Sequence, residues 1–467
     1  MTGIVSAGVY IPRRRLTGEV LSAAWGGTSK GQRSVANHDE DCITMCSEAA
    51  LECLSGHDPL EVDRIYFAST TPPYLEHGNA AIVAAVADLR PEVMAVDFGG
   101  SLRAGTAALR AAHDAVKAEE ADKVLVCAAD MRLPAPGDPM ERTIGDGAAA
   151  FLIGREKPIA EFKRFFSSSR AFLDRWRRVS GPYLQSGDPR FVTDMGIMSH
   201  LPEMAEEMVQ GMGMSRDQIS RVVYYSPDMR SRRGLDKKLG FAAKQYLQDV
   251  PQAAIGDTGN SQVFLSLVSA LSQSGPGDTM AVFNYGSGAD ACLLTVTEQI
   301  KDWSTTLFDQ VDAGLPLTSY ARYLRFRDIL PGEDINIWTS VPVLWREEDI
   351  NVRRKGGKCD SCGAVQFPPR YKCWSCGSED MSPYKVSRYG RVYTFALDSL
   401  VPNPEPPTPM VSVDLEGGGR LYAQMTDVGP ADVHIDMEVE MVFRKLHEGG
   451  GFNNYFWKFR PLLKGGQ

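Results

Sequence analysis

The chain has 467 residues, of which 43% are hydrophobic and 23% are charged, the balance of an ordinary globular protein. This length exceeds what one hydrophobic core usually holds and indicates about three folding units. The formal net charge of −9 excludes a general binder of nucleic acids or of anionic membranes, because either function needs a basic surface.

The N-terminal residues contain no apolar segment after a basic stretch, and no apolar run approaches the ~20 residues of a membrane-spanning helix. Five of the nine cysteines are scattered through the first 300 residues, whereas the other four form one tight cluster: Cys359, Cys362, Cys373 and Cys376. This distribution favours a reducing compartment and a metal site over a set of disulfides. We therefore expect a cytoplasmic protein.

Short apolar runs alternate with helical stretches over the first 300 residues. The sequence predicts buried strands at Val62–Ala68, Val93–Phe98, Lys123–Ala128 and Ala148–Ile153, and a helix at Arg103–Lys117. Strands that alternate with helices predict an α/β domain whose sheet is largely parallel and covered on both faces.

One segment of this region is echoed further along the chain. Gly145–Ile153 has the sequence GDGAAAFLI, and Gly286–Leu294 has the sequence GSGADACLL. Both place a Gly-x-Gly-Ala turn before an apolar strand. Chance similarity of two Gly/Ala-rich hairpins is the alternative, but we interpret the echo as a duplicated α/β half-domain.

The character of the sequence changes after a mixed segment that ends near Arg353, which we interpret as a helical connector. Polar and apolar residues then alternate in Val411–Leu415, Leu421–Met425, Val439–Phe443 and Tyr455–Phe459. Glycine-rich turns separate these runs. The pattern predicts a small antiparallel β-barrel.

The cysteine cluster consists of two CxxC pairs, Cys359/Cys362 and Cys373/Cys376, each followed by glycine. Each pair turns the backbone so that two thiolates face one point, and the glycine permits the tight turn. Four thiolates form a closed tetrahedral zinc site that stabilises a small ribbon. Iron and redox-active CxxC pairs are the alternatives. Because a closed site leaves no position for a catalytic water, we expect the Zn²⁺ to be structural.

Six short motifs occur in chain order within the first 328 residues: Tyr10–Leu16 (YIPRRRL), Arg103–Leu109 (RAGTAAL), Tyr224–Asp228 (YYSPD), Lys238–Phe241 (KLGF), Gly256–Thr258 (GDT) and Tyr285–Ala289 (YGSGA). Together they resemble hydroxymethylglutaryl-CoA synthases of the archaeal type, within the thiolase superfamily. The remainder resembles the zinc-ribbon and OB-fold domain that accompanies thiolases and these synthases as a separate subunit or a fusion.

The resemblance implies a duplicated thiolase-like α/β domain followed by a zinc ribbon and a small antiparallel β-barrel (OB-fold). The expected domains are a thiolase-like N-terminal half at 1–155, a C-terminal half at 156–330, a connector and zinc ribbon at 331–384, and the OB-fold at 385–467. The resemblance also implies a coenzyme A thioester as substrate, a homodimer, and a possible thiolase partner subunit.

Four chemical positions of the family are occupied differently here. The resemblance places Leu102 at the nucleophilic cysteine, Tyr225 at the histidine, Asp257 at the asparagine and Thr70 at the acid. A leucine cannot form a thioester, so an acyl-enzyme would need another nucleophile. Ser101 is the adjacent candidate, with capping of the helix that follows as the alternative.

Aldol chemistry needs no acyl-enzyme, because it requires only a base for a β-hydroxyl proton and dipoles that stabilise a thioester enolate. Tyr225 and Asp257 are the candidates for the base, although Tyr225 as a buried ring that fills the histidine site is an alternative. Arg230 occupies the family's basic position for the CoA phosphates. We interpret His200 as a surface or capping residue, with a place in the acyl pocket as the alternative.

The main hypothesis is therefore an enzyme, an aldolase or retro-aldolase (a lyase) that acts on a β-hydroxyacyl-CoA. The alternatives are a hydroxymethylglutaryl-CoA synthase-like acyltransferase, or a non-catalytic CoA-binding scaffold that partners a true thiolase.

Overall fold

The structure is a computed structural model that describes residues 1–330, 338–401 and 403–463. The chain forms two compact units: unit 1 comprises Met1–Asn37 and Asp41–Tyr323, and unit 2 comprises His38–Glu40 and Leu324–Gln467. The connector expected from the sequence begins at residue 331, and its first residues, 331–337, lie outside the described residues. The four-domain boundaries stay a prediction.

Unit 1 contains fourteen strands among its described residues. They are β1 (Gly3–Tyr10), β2 (Arg14–Thr17), β3 (Gln32–Val35), β4 (Arg64–Ala68), β5 (Met94–Phe98), β6 (Lys123–Asp130), β7 (Gly147–Gly154), β8 (Ala160–Ser169), β9 (Arg175–Trp176), β10 (Gln185–Ser186), β11 (Arg221–Tyr224), β12 (Thr279–Tyr285), β13 (Gly288–Val296) and β14 (Leu315–Pro316).

The helices of unit 1 lie between these strands. They are α1 (Gly18–Trp25), α2 (Cys42–Cys53), α3 (Asn79–Val86), α4 (Ala104–Lys117), α5 (Pro189–Phe191), α6 (Met198–Met212), α7 (Met229–Leu239), α8 (Gln252–Ile255), α9 (Gln262–Ser272) and α10 (Leu307–Asp312). A π-helical segment at Val192–Ile197 joins α5 to α6. The chain passes into unit 2 within α11 (Tyr320–Phe326).

Nine strands of unit 1 form one mixed sheet in the order β11-β12-β13-β8-β1-β7-β6-β4-β5. β4 pairs in parallel with β5 and β6, and β11 pairs in parallel with β12, whereas the other pairs are antiparallel. The expectation of a largely parallel sheet is therefore wrong. Only two residues, Gly286 and Ser287, join β12 to β13, and so short a connection permits only antiparallel pairing.

The topology of unit 1 repeats. β4 and β6 are parallel neighbours with α4 between them in sequence, and β7 returns antiparallel to β6. β11 and β12 are likewise parallel neighbours with α9 between them, and β13 returns antiparallel to β12. The two echoed sequence segments contain the starts of β7 and β13, in agreement with the predicted duplication.

The predicted strand at Val93–Phe98 forms as β5, but the expectation that it is buried is wrong. Met94, Ala95 and Asp97 are exposed, because β5 lies at the end of the sheet and pairs only with β4. An exposed strand edge invites pairing with another chain. A homodimer that covers this edge stays a prediction.

Two apolar clusters form the core of unit 1. One packs α4 and α9 against the sheet. The other packs α6 and α7 against β11, β12 and β13, and it includes Tyr225 and Tyr285, with Leu102 packed against it. The second cluster therefore borders the residues that the sequence singled out.

Unit 2 begins with the short helices α12 (Val341–Arg346) and α13 (Glu348–Asn351). A three-stranded ribbon follows, made of β15 (Lys355–Cys359), β16 (Val365–Gln366) and β17 (Met381–Lys385). The last five strands are β18 (Tyr389–Asp398), β19 (Thr408–Leu415), β20 (Arg420–Gln424), β21 (Glu438–Gly449) and β22 (Phe452–Pro461).

These five strands form an antiparallel sheet in the order β20-β19-β18-β21-β22. A bridge between Met425 and Phe459 connects its two ends and closes it into a barrel. The predicted zinc ribbon and small antiparallel barrel are confirmed. Across the described residues, none of the helices combines the length and apolar character that crossing a membrane requires.

Candidate active site and metal centre

A cavity of about 200 Å³ lies in unit 1, between the turn that precedes α4 and the turn that joins β12 to β13. Thr70, Leu102 and Tyr225, three of the four family positions, line this cavity together with Ser101. The fourth, Asp257, is fully buried and lies behind Tyr225. The fold thus brings together residues that are widely separated in the sequence.

Gly286 lets the two turns approach each other. A Cβ at this position would lie 2.9 Å from Oγ of Ser101 and 3.1 Å from the backbone nitrogen of Leu102. Arg103 fastens the contact, because its Nε donates to the carbonyl oxygen of Gly286 at 2.6 Å and its guanidinium pairs with Asp290 at 2.7 Å. Leu102, the residue that the resemblance aligns with the family's cysteine, is therefore held at the cavity wall.

Ser101 takes part in the turn before α4. Its Oγ donates to the carbonyl oxygen of Gly286 at 3.0 Å and accepts from the backbone N–H of Arg103 at 3.2 Å. Because α4 begins only at Ala104, Ser101 stabilises the turn and does not cap the helix as expected. Among the described residues that line the cavity there is no histidine or cysteine that would activate this hydroxyl.

The Tyr225 hydroxyl donates to Oδ2 of Asp257 at 2.8 Å. Asp257 also pairs with Arg132 at 2.6 Å and with Arg175 at 3.3 Å, and it accepts from the backbone N–H of Gly259 at 3.1 Å. Because the carboxylate is fully buried and does not line the cavity, it cannot touch a substrate directly. Tyr225, which lines the cavity, connects it to Asp257 through this hydrogen bond.

The environment of Tyr225 keeps its phenol neutral. Burial and the neighbouring Asp257 carboxylate raise the pKa of Tyr225, and this effect exceeds the opposing influence of Arg175 and Arg132. Burial alone would lower the pKa of Arg132. The Asp257 carboxylate, together with Tyr225 and Asp130, raises this pKa by more than burial lowers it, so the guanidinium stays charged. Tyr225 can therefore accept a proton only while it passes its own proton to Asp257.

Thr70, which the resemblance aligns with the family's acid, carries a hydroxyl that is hydrogen-bonded to a carboxylate. Oγ1 of Thr70 donates to Oδ1 of Asp130 at 2.9 Å, and Asp130 is fully buried. The thiol of Cys42 lies behind the same wall and contacts the carbonyl oxygen of Thr71 at 3.2 Å. Burial and the charge of Asp130 raise the pKa of Cys42, so this thiol is not a nucleophile.

The four clustered cysteines of unit 2 converge on one point. Their Sγ atoms all lie within 4.8 Å of one another, and the Cys359–Cys376 and Cys362–Cys373 pairs are each separated by 3.6 Å. Four Zn–S bonds of 2.3 Å in a tetrahedron place the sulfurs about 3.8 Å apart. The donor set fits Zn²⁺.

Both CxxC turns depend on the glycine that follows them. Gly363 and Gly377 have φ angles of 74° and 75°, and their N–H groups donate to the carbonyl oxygens of Cys359 and Cys373 at 2.8 and 3.0 Å. Only glycine adopts this backbone region without strain. Backbone N–H groups of Cys376 and Ser375 also lower the pKa of Cys373 to about 6.

We expect metal analysis to find one equivalent of zinc per chain, and no iron. Replacing Cys373 with serine is expected to unfold the ribbon while unit 1 keeps its protection from hydrogen exchange, because the metal is the ribbon's main stabiliser. Cys292, which is buried in β13 of unit 1, provides the matched control, since its replacement with serine leaves the zinc content unchanged. Folded protein without zinc would contradict the assignment.

Unit 2 matches two family models. The first, described as "ChsH2, rubredoxin-like zinc ribbon domain", matches residues 355–382. The second, described as "ChsH2, C-terminal OB-fold domain", matches residues 384–444. The chain therefore carries both C-terminal modules that the sequence predicted.

Unit 1 is similar to curated proteins of one family. The hydroxymethylglutaryl-CoA synthase of Methanopyrus kandleri is 33% identical over 312 residues, which cover 64% of this chain and 89% of the relative. The chain belongs to the hydroxymethylglutaryl-CoA synthase family. The synthase of Picrophilus torridus is 32% identical over 345 residues, which cover 71% of this chain and 98% of that protein.

Solved structures agree on the fold. A crystal structure of hydroxymethylglutaryl-CoA synthase complexed with CoA superposes with a TM-score of 0.63 at 21% identity, covering 73% of this chain and 94% of the other. The 3-oxoacyl-[acyl-carrier-protein] synthase III of Aquifex aeolicus gives a TM-score of 0.57 at 22% identity, covering 63% and 100%. The thiolase-like fold of unit 1 is confirmed.

Two residues singled out for the family's site lie away from the cavity wall. Arg230 is exposed in the first turn of α7 and does not line the cavity, although Pro227, just before this helix, does. His200 is only 8% exposed and lies inside α6. The interpretation of His200 as a surface residue is therefore wrong, because its ring packs against Phe172 and Tyr285.

The structure adds site residues that the sequence did not indicate. Arg132 and Arg175 pair with Asp257, and Tyr285 lines the cavity beside Tyr225. Arg132 follows β6, and Arg175 is the first residue of the two-residue strand β9. No local sequence pattern marks either arginine as functional. Tyr285 falls within the YGSGA motif, which was a usable signal.

Proposed function

We propose that this chain binds a CoA thioester in the cavity and forms or breaks a carbon–carbon bond beside the thioester carbonyl, without an acyl-enzyme. The observation that carries the proposal is the arrangement of the wall. Leu102, which the resemblance aligns with the family's cysteine, lines the cavity. Tyr225 and Asp257, which it aligns with the histidine and the asparagine, form a hydrogen bond. A leucine offers no nucleophile, whereas the pair offers a path for a proton.

The relatives favour the bond-forming direction. Both curated relatives compared above are named synthases, which supports a synthase-like reaction and gives no support to the lyase reading of the sequence. The aldolase and retro-aldolase hypothesis stays a prediction. Condensation without an acyl-enzyme agrees with the bond-forming direction of the relatives and with a leucine at position 102.

In such a condensation, Tyr225 would take up the proton that the donor loses and would return a proton to the product. A proton leaves the α-carbon of the donor thioester for the Tyr225 oxygen while the Tyr225 proton passes to Asp257. The resulting enolate attacks the acceptor carbonyl, the carbonyl oxygen gains the electron pair, and the proton returns through Tyr225 to that oxygen. The reverse sequence cleaves a β-hydroxyacyl-CoA, since each step is reversible.

Arg132 and Arg175 place two positive charges beside this pair. Their guanidinium groups lie 2.6 and 3.3 Å from the Asp257 carboxylate. Arg175 also lines the cavity, where it offers a donor to the oxygen of a thioester enolate.

Acyl transfer is the second candidate, since the relatives are named synthases, and Ser101 is the nucleophile proposed for it. It would require the Ser101 hydroxyl to lose its proton to a base, yet its hydrogen is donated to a backbone carbonyl at 3.0 Å. A non-catalytic CoA-binding scaffold is the remaining reading from the sequence. It predicts binding of CoA esters without turnover.

Mass spectrometry of CoA esters tests the proposal. The protein is incubated with pairs of short acyl-CoA and 3-oxoacyl-CoA esters, and separately with 3-hydroxyacyl-CoA esters, with a sample lacking protein as control. We expect at least one new 3-hydroxyacyl-CoA from the pairs or the corresponding cleavage products. Binding of the esters without any product would instead support the scaffold.

Arg230 is proposed to contact the CoA phosphates from the first turn of α7. Replacing Arg230 with glutamate is expected to raise KM roughly tenfold, the effect of losing a charged hydrogen bond, and to leave kcat nearly intact. Lys117→Glu, an exposed charge reversal at the end of α4, is the matched control. A fall in kcat at unchanged KM would place Arg230 in the reaction itself.

Partners and compartment follow as proposals of the same kind. A homodimer through β5, a possible thiolase partner subunit and a cytoplasmic location remain predictions. The acidic net charge supports the expectation that nucleic acids are not partners.

A further inference from the structure

One wall of the cavity is built from an irregular helical segment. The π-helical residues Val192–Ile197 precede α6, and Val192, Thr193 and Ile197 from this segment line the cavity. Gly196 within it has φ −90° and ψ −105°, which departs from helical geometry. Short π-helical insertions of this kind occur frequently at functional sites.

Gly196 lies directly against Tyr285, which lines the same cavity. A Cβ at Gly196 would lie 2.5 Å from the Tyr285 hydroxyl oxygen and 2.9 Å from Cε1 of Phe172. Contacts this short are not tolerated by side chains in proteins, so both rings, or the backbone at Gly196, would have to move. The absence of a side chain at Gly196 therefore leaves the room that the Tyr285 hydroxyl occupies.

Several groups surround the Tyr285 ring. It stacks on Tyr225 at 6.4 Å between centroids, and His200 packs against it at 5.9 Å. Asp174 is a further neighbour, and both Asp174 and Tyr285 line the cavity. Burial lowers the pKa of His200, so this imidazole is an uncharged packing neighbour at neutral pH. A methyl group at Gly196 would therefore meet a ring that is packed on two other sides and that borders the cavity.

The cavity wall is mixed. Charged side chains line it at Arg132, Asp174, Arg175 and Arg177. Aliphatic side chains line it at Leu102, Leu133, Leu184, Val192 and Ile197. The aliphatic part of the wall favours an aliphatic chain over a polar one, because burying apolar contact area removes it from water. We propose that the substrate carries an aliphatic acyl chain, and that Gly196 and Tyr285 determine how long this chain can be. The inference rests on the proposed function only in that a CoA thioester enters the cavity.

Binding of a ladder of saturated esters tests this inference independently of turnover. The affinities of acetyl-, butanoyl-, hexanoyl- and octanoyl-CoA are measured by isothermal titration calorimetry for the parent chain and for Gly196→Ala. We expect the longest ester that the parent binds tightly to lose roughly tenfold or more in affinity, the cost of overpacking a filled site. Acetyl-CoA should change by less than about twofold.

Three further variants separate chain-length selection from general damage. Gly181→Ala, at a position with open space around it, is the matched control. The double variant Gly196→Ala/Tyr285→Phe removes the oxygen that the methyl group meets and should recover part of the affinity for the long ester. Val192→Phe, on the half-buried wall of the same segment, should shorten the preferred chain even if Gly196→Ala does not fold.

The outcomes distinguish the two proposals. A parent chain that binds none of the esters contradicts both. A parent that binds them, with variants that weaken every ester equally, leaves the proposed function standing and overturns the role of Gly196 and Tyr285. If the parent binds acetyl-CoA more tightly than all longer esters, the proposal that the cavity holds an extended aliphatic acyl chain is contradicted.

Discussion

Replacing Asp257 with asparagine is expected to lower the free energy of unfolding of unit 1 by about 3–5 kcal/mol, the cost of removing one partner from a buried ion pair. Asp257 is fully buried, and the side chain of its partner Arg132 is 4% exposed at a distance of 2.6 Å. The asparagine would remove the carboxylate that contacts the buried guanidinium of Arg132 and would leave Asp130 as the carboxylate that still acts on it. Few single substitutions in this chain are expected to cost as much.

Denaturant unfolding followed by hydrogen exchange of peptides from β7 and β13 measures this loss, because these peptides report on unit 1 alone. Asp302→Asn, an exposed carboxylate at the surface of the same unit, is the matched control and should stay within about 0.5 kcal/mol of the parent. A change below about 1 kcal/mol for Asp257→Asn would show that Asp257 and Arg132 are not a charged pair.

Replacing Tyr225 with phenylalanine is expected to lower kcat/KM by at least about tenfold, because the hydroxyl that links the cavity to Asp257 is removed. Asp257 keeps both arginines and the N–H of Gly259 as partners. The loss of stability should therefore stay near 1 kcal/mol, the net value of an ordinary hydrogen bond. Activity and stability thus separate in this variant, whereas Asp257→Asn lowers both.

Steady-state kinetics on the CoA esters, combined with thermal unfolding, check the Tyr225 prediction. Ser101→Ala is the control at the neighbouring position of the wall and should be nearly silent in kcat/KM. Unchanged kinetics in Tyr225→Phe would reduce Tyr225 to a buried ring that fills the histidine site.

The sequence predicted the parts of this protein that depend on local pattern. The cysteine spacing identified the ribbon, and alternation identified four of the five described strands of the barrel, β19 to β22, but not β18. The exposure of β5 was not predictable, because Val93–Phe98 reads as apolar whether it lies inside a sheet or at its edge. Its place at the edge depends on pairing across the whole of unit 1.

The site was predictable only where a family motif marked it. Tyr225 and Asp257 were found through their motifs, and the structure adds their hydrogen bond. Arg132 and Arg175 were missed, since they reach Asp257 from positions 125 and 82 residues away in sequence. Such long-range pairings are set by the fold and leave no periodic signal in the chain.

The central claim is that this chain handles a CoA thioester without an acyl-enzyme. Intact-protein mass spectrometry of samples quenched during incubation with the CoA esters that are turned over tests it most directly. We predict that the mass of the protein stays that of the unmodified chain at every time point while products accumulate. An added acyl mass that maps to Ser101, and that disappears in Ser101→Ala together with activity, would contradict the account and restore a synthase mechanism through a covalent intermediate.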